Sequence, residues 1–117
     1  AISIYRGEFL PGYYDEWIEE LRSILEHKLI ETCEELLVIL EKRKEYEALI
    51  EYSDKLLQAD KLHEQAFYML ILAYSAIGNI TMAKKKLSQL IKAYDEEYGE
   101  KPPKSLMSKI MNIEALQ

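Results

Sequence analysis

Two stretches of this chain, 30–60 and 64–94, carry the same pattern of apolar and small residues, offset by 34 positions. In the second stretch Phe67, Leu70, Ile71 and Tyr74 recur at helical spacing, and Gly78, Ala83, Leu87, Leu90 and Ile91 follow. The same offset earlier stand Cys33, Leu36, Leu37 and Leu40, then Lys44, Leu49, Ser53, Leu56 and Leu57. Each apolar or small position has an apolar or small counterpart, and the turn positions Gly78 and Lys44 fall in phase. A repeat of this length constrains the chain to paired helices that stack, because one pair cannot bury its apolar face alone.

Hydrophobic spacing around the repeats predicts further helix. From Glu16 to about Arg43 there is no Gly or Pro, and Trp17, Leu21, Ile24, Leu25, Leu29, Cys33 and Leu36 recur at three- and four-residue steps. That spacing predicts one long amphipathic helix with Asp15 as its N-cap. It exceeds a single repeat helix, so its first half must pack on the N-terminal segment or on a partner. A second helix is predicted over about 45–58, a third over 62–77 and a fourth over 81–98. The third is apolar nearly all round, which predicts a central place in the stack. Gly78 and Gly99 read as helix C-terminal signals. Lys101-Pro102-Pro103 reads as a stiff connector, and the apolar stripe of Leu106, Met107, Ile110, Met111 and Ile113 as a closing helix over about 103–115. Residues 1–13, with Gly7, Pro11 and Gly12, read as the least regular part, although Phe9 and Leu10 need a place to pack.

Composition narrows the function classes. Four Gly and three Pro in 117 residues favour long helices. At this length folding buries roughly two-thirds of the extended chain's surface, enough for a core without covalent staples. The single cysteine, Cys33, rules out an intrachain disulfide framework, and a cytoplasmic setting is the default. No apolar run reaches the roughly 20 residues that span a bilayer. The net charge is −6, with more than half of the acidic residues in 15–51. Such a face repels phosphates, so direct nucleic-acid binding is not expected. Lys84, Lys85 and Lys86 point in different directions around a helix and read as solvated surface. The chain begins with Ala rather than Met and reads as a fragment of something larger.

The repeat resembles the tetratricopeptide repeat, whose signature is W-x2-L-G-x2-Y, then A-x3-F, then P. Phe67 and Cys33 stand where that signature has Trp, Ile71 and Leu37 replace the small residue after Leu, and Lys61 and Asp95 replace the final Pro. The resemblance implies an all-α fold of antiparallel helical hairpins in a right-handed superhelical stack, closed by a C-terminal capping helix. The flanks carry a second resemblance. Tyr5-Arg6-Gly7-Glu8-Phe9-Leu10-Pro11-Gly12, followed by Tyr14-Asp15-Glu16-Trp17, is similar to the "Y-x-G-[DE]-hydrophobic-L-P-G … D-x-W" entrance of the bacterial transcriptional activator domain of antibiotic-regulatory (SARP-like) regulators. The likeness continues through Arg43-Lys44-Glu45-Tyr46-Glu47-Ala48, Leu56-Leu57-Gln58-Ala59-Asp60, Ala76-Ile77-Gly78-Asn79 and Glu96-Glu97-Tyr98-Gly99-Glu100-Lys101-Pro102. It spans essentially the whole chain, read as one domain over 1–117. Lys44, Lys61 and Leu49 depart from the family's usual Gly, Pro and Ala. The resemblance implies a parent transcription regulator with a winged-helix DNA-binding domain upstream, and a helical module that contacts other parts of the regulator or a second copy of itself.

Catalytic signatures are absent from the sequence: there is no Ser-His-Asp order, glycine-rich phosphate loop or H-E-x-x-H. His27 and His63 lack ligand-spaced neighbours and are expected at the surface. Cys33 falls at a core position and is expected to be a small buried hydrophobe. No catalytic residue, metal ligand or cofactor is therefore assigned. In the tetratricopeptide architecture the first helix of each pair lines a concave surface. That implies Gln65, Tyr68, Met69, Leu72 and Ser75 from the second repeat, with Glu34, Glu35 and Val38 from the first, as partner-binding candidates. The groove would be part apolar and part acidic, covered either by the chain itself or by a protein partner. The expected function is a non-enzymatic interaction or oligomerisation module. Its partner would be the regulator's own DNA-binding or sensory domain, a second copy, or the transcription machinery. A stand-alone repeat adaptor for a client peptide is the alternative, and a small enzyme a remote one.

Overall fold

The computed structural model describes residues 11–113 and 116, with side chains from 15 onward. Five helices follow in chain order: α1 Pro11–Lys42, α2 Tyr46–Ala59, α3 Glu64–Ala76, α4 Ile80–Tyr98 and α5 Lys104–Met111. No strand occurs among the described residues, so the fold is the all-α helical repeat that the periodicity predicts.

The chain divides into two compact units, Ala1–Thr32 and Cys33–Gln117. The second starts close to the first repeat. Within it α3 packs against α2, α4 and α5. Its central position follows from its composition, since Ala66, Phe67, Met69, Leu70, Ile71 and Ala73 are all buried. Phe67 and Ile71 join Ala83, Leu90 and Tyr94 of α4, and Leu106, Ile110 and Ile113 of the C-terminal segment, in one apolar cluster. Repeat counterparts are buried alike: Leu37 and Ile71, Leu49 and Ala83, and Leu56 and Leu90 are each at most 2% exposed.

The two turns between helices repeat the backbone as well as the sequence. Lys44 and Gly78 both have positive φ, 59° and 84°. The N–H of Lys44 donates to the Glu41 carbonyl and that of Gly78 to the Ser75 carbonyl. The N–H of Glu45 donates to the Leu40 carbonyl and that of Asn79 to the Tyr74 carbonyl. Glu45 and Asn79 then enter the next helix with nearly the same dihedrals, φ −89°, ψ 74° and φ −90°, ψ 72°. These bonds are the paired closures that end a helix on a left-handed residue. A lysine pays a steric penalty there that glycine avoids. Lys44→Gly is therefore expected to raise stability by about 0.5–1 kcal/mol, the relieved strain being partly offset by glycine's freer unfolded chain. Urea denaturation checks this; a lower midpoint would contradict it.

Three details differ from what the sequence predicts. The long helix begins at Pro11, so residues 11–13 are helical rather than loop. Proline's fixed φ suits a first helical turn, where its missing N–H leaves no bond unmade. Asp15 consequently lies inside α1 and is not its N-cap. Cys33 is half-buried rather than fully enclosed. The Tyr5-to-Leu10 motif, and the packing expected of Phe9 and Leu10, lie outside the described residues. In the first unit Leu21, Ile24, Leu25 and Leu29 are exposed.

Candidate functional site

The Lys101-Pro102-Pro103 connector leads into α5, and Pro102 is buried. Leu106 and Ile110 lie one helical turn apart and share a stripe of α5 with Ile113 beyond its end, and all three pack into the cluster on α3. The other side of that stripe stays open. Two adjoining cavities lie between α3 and α5, of about 610 Å³ and 360 Å³. Tyr68 and Lys109 line both, so they form one groove with a waist. At the waist the Lys109 ammonium lies 4.2 Å from the centroid of the Tyr68 ring. Leu72, Ala76 and Ile113 supply the apolar lining of the larger cavity. Burial, and then the nearby charge of Glu41, raise the Tyr68 pKa, so its phenol stays protonated at neutral pH.

At one end of α3 a histidine does the work of a cap. The N–H of Ala66 donates to His63 Nδ1 at 3.1 Å. A neutral imidazole that accepts at Nδ1 carries its proton on Nε2. Nε2 lies 2.7 Å from Glu34 Oε2 and donates to it, tying α3 to α1. The Gln65 side chain adds a bond at 3.4 Å to the Glu34 carbonyl. Contrary to the surface position expected from sequence, His63 is buried, 9% exposed, while His27 is exposed. Both ring nitrogens of His63 are engaged, which leaves neither free to abstract a proton or bind a metal. No group of three or more metal-ligating side chains occurs among the described residues. His63→Ala is expected to destabilise by about 2 kcal/mol, combining a lost cap with a lost bond to a carboxylate. His63→Asn keeps a capping acceptor and should lose about half of that. Equal losses in chemical denaturation would refute the capping role.

A second cross-helix bond runs from α4 to α3. The Tyr94 hydroxyl donates to Glu64 Oε2 at 2.6 Å. Burial first, then this bond and the surrounding acidic charge, push the Tyr94 pKa up to about 12. The neutral phenol is thus favoured in the folded state over the unfolded one, where it titrates near 10. Its contribution is complete below pH of about 10 and disappears as pH rises through the folded value. Glu64 is exposed, so solvent screening holds the contribution to about 1 kcal/mol. Tyr94→Phe should lose that amount at pH 7, and the gap between variant and parent should close over the alkaline range. A gap that stays constant with pH would contradict the assignment.

The partner-binding candidates divide into three groups. Tyr68, Leu72, Gln65 and Ser75 all line the groove. Ser75 is only 6% exposed, and its hydroxyl already donates to the Ile71 carbonyl at 2.8 Å. Met69, also 6% exposed, is committed to internal packing and has little surface to offer. Glu34 joins His63 and Gln65, while Val38 and Glu35 are exposed on α1 and line neither cavity. Lys109, Asn112 and Leu106 also line the groove; from sequence α5 reads only as a cap, which does not mark them as groove residues. Lys109 sits three residues after Leu106 and four before Ile113, so it flanks the packing stripe, and that spacing was available as a signal. Of the lysine cluster, Lys84 and Lys85 are exposed and Lys86 lies 3.9 Å from Asp54 on α2.

Comparison with protein families matches residues 1–113 to the model of the bacterial transcriptional activator domain. Comparison with curated proteins and with solved structures found no match. Among the described residues no helix is long and apolar enough to cross a membrane.

Proposed function

From the premise that this chain belongs to the bacterial transcriptional activator domain family, we propose that it is a non-enzymatic protein-interaction module of a transcription regulator. That family is one of regulators, not of enzymes. The module acts by holding a protein segment against α3 and α5 and so positions an attached DNA-binding domain. The segment comes from the regulator's own DNA-binding or sensory domain, from a second copy, or from the transcription machinery. Such a regulator works on promoters, hence in the cytoplasm.

The family match over nearly the whole chain carries this reading. The groove adds support, since it offers an apolar floor beside polar groups that can orient a partner. Nucleic acid is an unfavourable partner, because the −6 charge repels phosphate. The test uses the regulator that carries this chain. Tyr68→Ala combined with Leu72→Ala should reduce promoter activation while promoter affinity and helical content hold. Unchanged activation would refute the groove as the working surface. Sub-micromolar, salt-dependent binding of a generic duplex by the chain alone, in a mobility-shift titration, would refute the protein-only reading.

A further inference from the structure

We propose that the α3–α5 groove is specific for a protein segment presenting an aliphatic side chain and a neighbouring carboxylate. The inference rests on the interaction reading above and names the chemistry of the partner. Its first support is that polar groups without internal partners converge on one cavity. Lys109 pairs with no carboxylate among the described residues; its recorded contact is the Tyr68 ring. The Tyr68 hydroxyl and the Asn112 side chain likewise have no hydrogen-bond partner among the described residues. Because the Tyr68 phenol keeps its proton, it is a donor beside the ammonium. An ammonium, a phenol and an amide beside one opening are the donor set that a carboxylate satisfies.

The neighbouring acids sharpen the choice. Glu64 accepts from Tyr94, and Glu34 from His63, but a hydrogen bond does not neutralise a carboxylate, so Glu64, which lines the smaller cavity, favours an incoming anion in the larger one. Glu41 acts on Tyr68 electrostatically and opposes an anion there, which leaves Lys109 as the attracting group. A single lysine can match a monoanion but not a dianion. A phosphate group, carrying nearly two charges, is met elsewhere by arginine clusters, and none lines this groove. The second half of the requirement comes from the floor, where Leu72, Ala76 and Ile113 leave an apolar surface against which an aliphatic side chain can be buried. A second copy of the chain is the weaker occupant, because two bodies of charge −6 repel as they approach.

The test uses the complete 117-residue chain, isotopically labelled for amide NMR. The probe is a blocked helical peptide in an Ala/Gln background with Leu and Glu four residues apart. Its control carries Gln in place of Glu. The Glu peptide should shift the amides around Tyr68, Leu72, Lys109 and Asn112 and saturate, and the Gln peptide should bind about tenfold more weakly. Lys109→Gln, a change at an exposed side chain, should remove that discrimination while its own spectrum stays folded. Equal binding of both peptides in the groove would overturn the carboxylate requirement and leave the interaction reading standing. An absence of groove shifts at millimolar peptide would overturn both. Groove shifts that appear on concentrating the chain without peptide would overturn the proposal in favour of a second copy.

Discussion

Ile71→Ala is expected to lower the unfolding free energy by about 3 kcal/mol, the usual scale for removing most of a fully enclosed aliphatic side chain. Ile71 is 0% exposed and belongs to the cluster that joins α3 to α4 and to the C-terminal segment. Those elements are held on α3 by side-chain packing, so a hole at Ile71 weakens two contacts at once. The surrounding helices cannot collapse onto it without moving against each other, which places the site at the costly end of cavity formation. Ile77, six residues on and 48% exposed, is the internal control. Ile77→Ala removes the same atoms and should cost no more than about 0.5 kcal/mol. Thermal or urea unfolding of the pair measures the difference. A loss below about 1 kcal/mol at Ile71 would show that α3 is not the centre of the stack.

The sequence made α3's central place legible because nearly every position in it is apolar, and a helix of that kind has no solvent face to offer. The phase of the repeat was legible for a different reason. Turn positions are set by backbone closure, and Lys44 keeps the glycine position's positive φ although its residue type does not announce it. Period, rather than identity, carried that information. The start of α1 was hidden because Pro and Gly signal a loop in general, while proline at a first helical position is compatible with helix. His63 was hidden as a cap because side-chain capping is chiefly the habit of Ser, Thr, Asp and Asn. Its Nδ1 serves as the acceptor in the tautomer whose Nε2–H donates to Glu34, a residue distant in sequence.

The candidate site was half legible. The repeat resemblance implies a groove face of Gln65, Tyr68, Met69, Leu72 and Ser75 on α3; Gln65, Tyr68, Leu72 and Ser75 line the groove and Met69 does not. Met69 follows Tyr68 directly and turns about 100° further round the helix, far enough to be enclosed. The opposite wall was not legible. The closing helix lies outside the repeat's phase, so no counterpart in the first repeat shows which of its faces meets α3. Lys109 could be placed on a helix face from sequence, but its neighbour Tyr68 required the packed structure.

Ala83→Leu supplies the second large effect and tests the repeat from within. Ala83 is 0% exposed where α4 crosses α3, and its counterpart Leu49 is 0% exposed on α2. The same position therefore holds a leucine in one repeat and an alanine in the other, each without spare room. Forcing three extra carbon atoms in at Ala83 should cost about 2–3 kcal/mol by overpacking, through off-rotamer side chains or separation of α3 from α4. Leu49→Ala should cost a similar amount for the opposite reason, a cavity. The combined swap should not recover stability, because each site relaxes against its own neighbours and separated effects add. Chemical denaturation of the two single variants and the swap measures all three terms. An unchanged midpoint for Ala83→Leu would mean that α4 does not rest on α3 through this residue, and the equivalence of the two repeats would fail with it.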